Sequence, residues 1–237
     1  CEKENGKWSA PVNPGSPLNS IDHDAVVGLS PDGQKLILYK VTNEGDLYLS
    51  KLEGDKWTDA VPFSENINSP YHETSASFSY NEKTLYFVSD MPGGFGGLDI
   101  YYSTLDETGN WSVAKNMGSA INTSYDEDAV FILSDDETLY FSSKGHNSMG
   151  GYDIFKSVKD ENGKWLKPEN MGYPVNTPDD DLYFTVAANG VDCYYSSSNV
   201  QGFGGQDIYS VKFIKKTDVT VAEDTSQINE SPQVTLL

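Results

Sequence analysis

The sequence predicts an all-β chain, a β-propeller of four-stranded antiparallel blades, and three sets of markers in one phase predict it. Trp8, Trp57, Trp111 and Trp165 are all the tryptophans of the 237-residue chain, and they lie 49, 54 and 54 residues apart. Asp46, Asp99, Asp153 and Asp207 keep the same beat, each followed by Leu or Ile and then an aromatic. Asn19, Asn68, Asn122 and Asn176 form the third set, each closing a short phrase before a Ser or Thr. A repeat of about 50 residues fits one propeller blade per unit.

The third repeat shows the elements of a blade most clearly. D-A-V-F-I-L-S at 128–134 reads as a first strand, D-D-E as a turn, and T-L-Y-F-S-S at 138–143 as a second strand. Two apolar runs joined by turn residues are the signature of a hairpin. After the loop K-G-H-N-S-M-G-G, residues 152–158 read as a third strand, 160–163 as a turn, and Trp165 opens a short fourth strand. Blade material starts near 24, 73, 127 and 181, and nothing in the four units reads as a helix. The short apolar first strands are expected nearest the axis, with the tryptophan strand outermost.

The ends set the expected closure. Residues 1–10 supply a tryptophan strand without the three strands that precede it, and 181–213 supply three strands without a fourth. Residues 1–10 are therefore expected to be the outer closing strand of the last unit, which removes an exposed edge. Four repeats are visible, and a parent ring of four to six blades is compatible with them. The propeller is assigned to 1–215. Residues 216–237 read as a polar linker, with V-T-L-L either starting a following β domain or ending a tail.

Composition narrows the function classes. Sixteen Lys and Arg against 36 Asp and Glu give a net charge of -20. That disfavours a nucleic-acid backbone and an anionic membrane surface as partners. No apolar run is long enough to span a bilayer, so no membrane insertion by this chain is expected. Cys193 sits in a strand-like run and reads as a buried small hydrophobe. Cys1 aligns inside the repeat, which leaves either a cut within a larger protein or a lipid anchor.

The recurring polar residues read as structural first. Asp46, Asp99, Asp153 and Asp207 stand at the start of each third strand, where a short carboxylate accepts N–H bonds from the preceding loop. The glycine runs before them precede strands, not helices, so they read as close turns and not as phosphate cradles. Asp24, Glu73, Glu127 and Asp181 share one repeat position, expected at the mouth of the channel. There they would bond to backbone or hold a calcium ion. His146 lies on another loop, so no three-histidine zinc site forms. No nucleophile motif is present, and neither a cofactor nor a metal is assigned.

The phrases F-S-Y-N-E-K-T-L-Y-F-V-S-D-M-P-G-G-F-G-G-L-D-I-Y at 78–101 and L-S-D-D-E-T-L-Y-F-S-S-K-G-H-N-S-M-G-G-Y-D-I-F at 133–155 resemble WD-repeat-like, TolB-type propeller repeats. With the spacer at 111–128, the chain is similar to propellers of Bacteroidetes cell-envelope proteins that carry an outer-membrane-protein-A-like domain. One member of that family belongs to the type IX secretion apparatus. The resemblance implies a periplasmic, outer-membrane-associated, non-enzymatic scaffold that binds envelope proteins. It implies peptidoglycan contact only through a domain outside this chain. A glycan- or peptide-binding propeller is the alternative, and a propeller hydrolase or lyase the third. The first repeat, N-E-G-D-L-Y, departs from the family pattern by lacking the long glycine loop.

Overall fold

The computed structural model of the protein describes residues 3–4, 7–198, 202–213 and 234–236. Four antiparallel sheets form a four-bladed propeller, each sheet running from inner to outer strand in chain order. Blade one is Asp24–Leu29, Lys35–Lys40 and Asp46–Glu53, with Lys56–Trp57 and Val61–Pro62 both paired to Asp46–Glu53. Blade two is Glu73–Phe78, Thr84–Ser89, Asp99–Thr104 and Lys115–Asn116. Blade three is Glu127–Ile132, Thr138–Ser143, Asp153–Val158 and Glu169–Asn170. Blade four is Asp181–Val186, Asp192–Ser197, Asp207–Lys212 and Val234–Leu236.

The strand patterns follow from burial on two faces. In the second strand of blade two, Leu85 and Phe87 face blade one, while Tyr86 and Val88 face blade three. A strand covered on both sides is apolar throughout, which is what T-L-Y-F-V shows. The core accordingly sits at the joints between blades. Ile37 and Leu47 of blade one pack with Phe78, Leu85 and Phe87 of blade two. Tyr86 and Ile100 pack with Ile132, Leu139 and Phe155 of blade three. Tyr140 and Ile154 pack with Phe184, Cys193 and Tyr195 of blade four. One linker residue plugs each joint: Ile67, Ile121 and Val175. Leu18 takes the matching place against Leu36 and Leu38 of blade one.

The seam between blades four and one is covered less. Leu47, Ile100 and Ile154 are fully buried, whereas Ile208 at the same phase is 61% exposed. Trp8 reaches this region and sets its indole edge-on to Tyr194, with ring centroids 6.0 Å apart.

Closure differs from the expectation for residues 1–10. Lys7–Trp8 pairs with Lys3–Glu4 as a separate hairpin, and Val234–Leu236 takes the outer edge of blade four. The register Lys3↔Trp8 has the same spacing as Leu52↔Trp57 in blade one, so the local hairpin takes precedence over a long-range pairing. V-T-L thus pairs as the fourth strand of blade four. The expected linker at 216–233 and Cys1 lie outside the described residues.

The tryptophans also sit slightly off the expected place. Trp111 and Trp165 make single bridges to Leu105 and Lys159, and the paired outer strands begin four residues later. Each indole folds over a joint. Trp111 meets Phe63 and Phe78 at 6.2 and 6.4 Å, and Trp165 meets Tyr86 at 6.3 Å. Trp57 packs on the Leu36–Leu38 face of blade one.

Candidate functional site

The inner strands of all four blades surround a central channel of about 670 Å³. Each inner strand carries a bulge near its start, seen as register shifts at Val26/Gly28, Glu73/Ala76, Asp128/Phe131 and Leu182/Thr185. At the third position of two of these strands, Ala129 and Tyr183 hold φ of 53° and 58°. Residues with a Cβ rarely adopt this left-handed region, so the bulges must be held by their surroundings.

The four acids expected at the channel mouth do not line the channel. Glu73, Glu127 and Asp181 are fully buried, and each turns back to clamp the linker that precedes it. Glu127 accepts from Thr123 N at 2.8 Å, Thr123 Oγ1 at 2.7 Å and Ser143 Oγ at 2.7 Å. Glu73 repeats this with Ser69 N at 3.2 Å, Ser69 Oγ at 2.6 Å and Ser89 Oγ at 2.8 Å. Asp24 is less buried, accepts from Ser20 N, and lies 3.6 Å from Lys40 Nζ. The physical reason is local. A Ser or Thr four residues upstream offers both a backbone and a hydroxyl donor, and the carboxylate closes that turn. Among the described residues, no group of three His, Cys, Asp or Glu is placed to hold a metal ion.

Asp181 is one methylene shorter than Glu73 and Glu127, and the difference is visible. It accepts from Thr177 N at 2.6 Å and Thr177 Oγ1 at 3.1 Å, but its Oδ1 and Ser197 Oγ are left without a hydrogen bond. Ser197 stands near enough to favour the charged form without closing the bond. Asp181→Glu is therefore expected to reach Ser197 and raise stability by about 1 kcal/mol, the net worth of one buried hydrogen bond. Urea unfolding of the two proteins measures it, and a loss of stability would mean that the extra methylene does not fit.

Burial pushes the Glu73 carboxyl up to about 7, against the lowering effect of Ser69 and Ser89. Glu127 and Asp181 are raised in the same direction by the same cause. A raised folded pKa means that the native state holds a proton which the unfolded chain releases. Stability from Glu73 is thus present at low pH and is lost as pH rises from about 4.5 to about 7. Allowing for screening, the loss is about 1–3 kcal/mol. Urea midpoints at pH 5 and pH 8 should differ more in the wild type than in Glu73→Gln by that amount. Equal differences would place an unperturbed carboxyl at residue 73.

The third-strand aspartates tie down their loops. Asp99 is buried and accepts from Phe95 N, Gly96 N and Asn116 Nδ2. Asp153 accepts from Met149 N and Asn170 Nδ2, both at 2.7 Å, and Asp207 from Phe203 N at 2.8 Å. Asp46 accepts from side chains instead, Asn43 Nδ2 at 3.0 Å and Thr42 Oγ1 at 3.4 Å, because its loop lacks the glycine run. The glycines answer to close approach: a Cβ at Gly96 would collide with Tyr125 O, and one at Gly150 with Pro178 O. The second-to-third-strand loop of one blade thereby lies on the linker entering the next.

Two features escaped the sequence reading. Asn122, known there only as a marker, pairs with both backbone groups of Ile100: Ile100 N donates to Oδ1 and Nδ2 donates to Ile100 O, both at 2.9 Å. Asn176 does the same to Ile154, and Asn68 to Leu47. Asp128 is the other. At its repeat position blades one, two and four carry Ala25, Thr74 and Leu182, so it is the one acid there, and that break in pattern was the available signal. Its side chain crosses to blade two beside the channel, where Ser75 and Ala129 form part of the wall.

No family model and no curated protein matches the chain. Solved structures match in fold. A TolB from Acinetobacter baumannii aligns with a TM-score of 0.54 at 18% identity, over 82% of this chain and 42% of that one. A putative TolB from Agrobacterium tumefaciens aligns with a TM-score of 0.47 at 12% identity, over 81% and 78%. An alpha-L-arabinofuranosidase from Lactobacillus brevis aligns with a TM-score of 0.49 at 12% identity, over 78% and 70%. This chain therefore spans less than half the length of the Acinetobacter protein and has a TolB-like β-propeller fold.

Proposed function

We propose that the chain is a non-enzymatic docking scaffold of the bacterial periplasm, part of an outer-membrane-associated envelope or type IX secretion complex. The observation that carries this reading is a row of apolar tips at one rim of the propeller. Phe95, Met149 and Phe203 are 50%, 48% and 88% exposed, each four residues before its third-strand aspartate. Tyr71 and Tyr125, on the linkers of the same rim, are 42% and 60% exposed. Among the described residues, the aspartates that recur with them bond within their own loops, so what these loops offer outward is apolar contact. Apolar side chains exposed at one repeat position on three blades suit a protein partner. With a net charge of -20, a basic partner is favoured and steered.

The test is a pull-down from envelope extract with the intact protein and with Phe95, Met149 and Phe203 all changed to Ser. The triple variant should lose at least one partner while its unfolding midpoint stays put. Capture should be stronger at about 50 mM salt than at about 500 mM, since surface charge is screened at the higher value. An unchanged partner set would refute docking at this rim. Turnover of an envelope glycan, abolished by changing one carboxylate in a folded variant, would replace the scaffold reading by an enzymatic one.

A further inference from the structure

We propose that residues 13–19 form an empty strand clamp in the seam between blades four and one, and that its occupant is a β-strand of a partner protein carrying Asp, then Ile or Leu, then an aromatic. The clamp is recognised from its filled copies. In 116–122, Gly118 N donates to Asn116 Oδ1 at 2.8 Å, Asn122 N to Gly118 O at 2.9 Å, and Asn122 Nδ2 to Asn116 Oδ1 at 2.9 Å. Residues 170–176 repeat all three bonds, at 2.8, 2.9 and 2.8 Å. Residues 13–19 repeat them again: Gly15 N to Asn13 Oδ1 at 2.8 Å, Asn19 N to Gly15 O at 2.9 Å, and Asn19 Nδ2 to Asn13 Oδ1 at 2.7 Å. The filled copies spend their remaining groups on one strand. Asn122 and Asn176 bond both backbone groups of Ile100 and Ile154, and Asn116 and Asn170 donate to Asp99 and Asp153 one residue earlier. At 13–19 the corresponding Asn13 Nδ2 and Asn19 Oδ1 meet no partner among the described residues, and Asn19 is exposed.

The surroundings of the clamp mark the place of the missing strand. Trp165 and Val175 bracket blade three: the first touches Tyr86 of blade two, the second packs with Cys193 and Tyr195 of blade four. Trp8 and Leu18 bracket the seam in the same way. Trp8 meets Tyr194, which matches Tyr86, and Leu18 packs on Leu36 and Leu38 of blade one. Among the described residues, no inner strands fill the position they bracket, and Asp181–Val186 does not touch Asp24–Leu29, although every other consecutive pair of inner strands is in contact. Both walls are uncovered. Leu29 is 58% exposed where Phe78 and Ile132 are buried, and Ile208 is exposed where Leu47, Ile100 and Ile154 are buried. In the filled joints Ile100 packs with Ile132 and Tyr101 with Leu47. By the same packing an incoming Ile or Leu meets Leu29, and the aromatic after it meets Ile208. Backbone bonds to the clamp supply affinity and these alternating side chains supply selectivity, as in strand addition generally. The clamp uses none of the apolar rim residues, so its fate and that of the docking reading are decided by different measurements.

The test titrates the full chain with the peptide G-Y-D-I-F-K-S, copied from residues 151–157, and reads the amide signals of Gly15 and Asn19 by NMR. Both should shift saturably. The peptide N-methylated at its Ile lacks the N–H for Asn19 Oδ1 and should bind about tenfold more weakly, the factor that goes with one lost hydrogen bond. Asn19→Ala in the chain should weaken the unmodified peptide by at least as much. Its unfolding midpoint should stay put, because the side chain holds no strand in the free protein. Absence of saturable shifts at millimolar peptide would overturn the proposal. So would equal binding of the N-methylated peptide, or undiminished binding by Asn19→Ala. A dimer that Asn19→Ala abolishes, in a chain that ignores the peptide, would assign the clamp to Ile208 of a second copy and overturn it as well.

Discussion

Replacing Asn122 with alanine is expected to destabilise the propeller by about 2–4 kcal/mol, because it strands a buried N–H and a buried C=O of Ile100 together. The side chain acts as a one-residue strand: its amide presents to Ile100 the same donor and acceptor that a backbone neighbour would. Asn122 also donates to Asn116 Oδ1 at 2.9 Å, so the linker and the outer strand are held by the same group. Asn176→Ala should cost a similar amount, since it repeats the geometry on Ile154 at 2.8 Å. Asn19 supplies an internal control. It has the same phase but is exposed and bonds only to Asn13 Oδ1 through its side chain. Asn19→Ala should fall within about 0.5 kcal/mol of wild type. Urea unfolding of the three variants decides the matter, and a uniform small cost would mean that water replaces the amide at the buried sites.

Trp111→Ala is expected to cost about 3–5 kcal/mol, toward the lower end because the indole is only half-buried. The ring caps the joint between blades one and two, touching Phe63 from the linker and Phe78 from the inner strand. Asn66 Nδ2 also donates to Trp111 O at 2.7 Å, which fixes the backbone from which the ring hangs. Trp111→Phe should recover most of the loss by refilling the joint. A cost below about 1 kcal/mol would show that the ring contributes little to packing and would recast Trp111 as a surface residue available to a ligand.

The repeat made the blades legible because a propeller writes each element several times. Four tryptophans and four aspartates in phase placed the strands before any contact was known. Contacts between repeats were less legible. Glu73 and Glu127 read as channel acids because a first strand lies by the axis, but their side chains turn away from it to the Ser or Thr four residues upstream. That choice depends on a turn geometry that spacing alone does not specify. Asp128 was hidden because its meaning lies in Thr74 and Ser75, more than 50 residues away on another blade. The pairing of Val234–Leu236 with blade four was not legible because a three-residue apolar run carries no phase of its own. The bulges were invisible for a similar reason: Ala129 and Tyr183 are ordinary strand residues by composition and left-handed only in place.

The placing of the core at the joints has a consequence for how this chain fails. Leu85 and Phe87 are buried by one neighbour and Tyr86 and Val88 by the other, so a blade cut free would expose both faces. The smallest autonomous piece is accordingly a pair of blades, never one. Damage should travel outward from a weakened joint to adjacent units while remote ones persist, as in a chain of nearest-neighbour couplings. The weakest link is the seam where Ile208 stands exposed, so melting should begin there and end at the twofold-flanked joint of blades two and three. The same logic makes the repeat a natural unit of gain and loss. A whole 54-residue copy, inserted with both faces intact, preserves every joint, whereas half a copy destroys two.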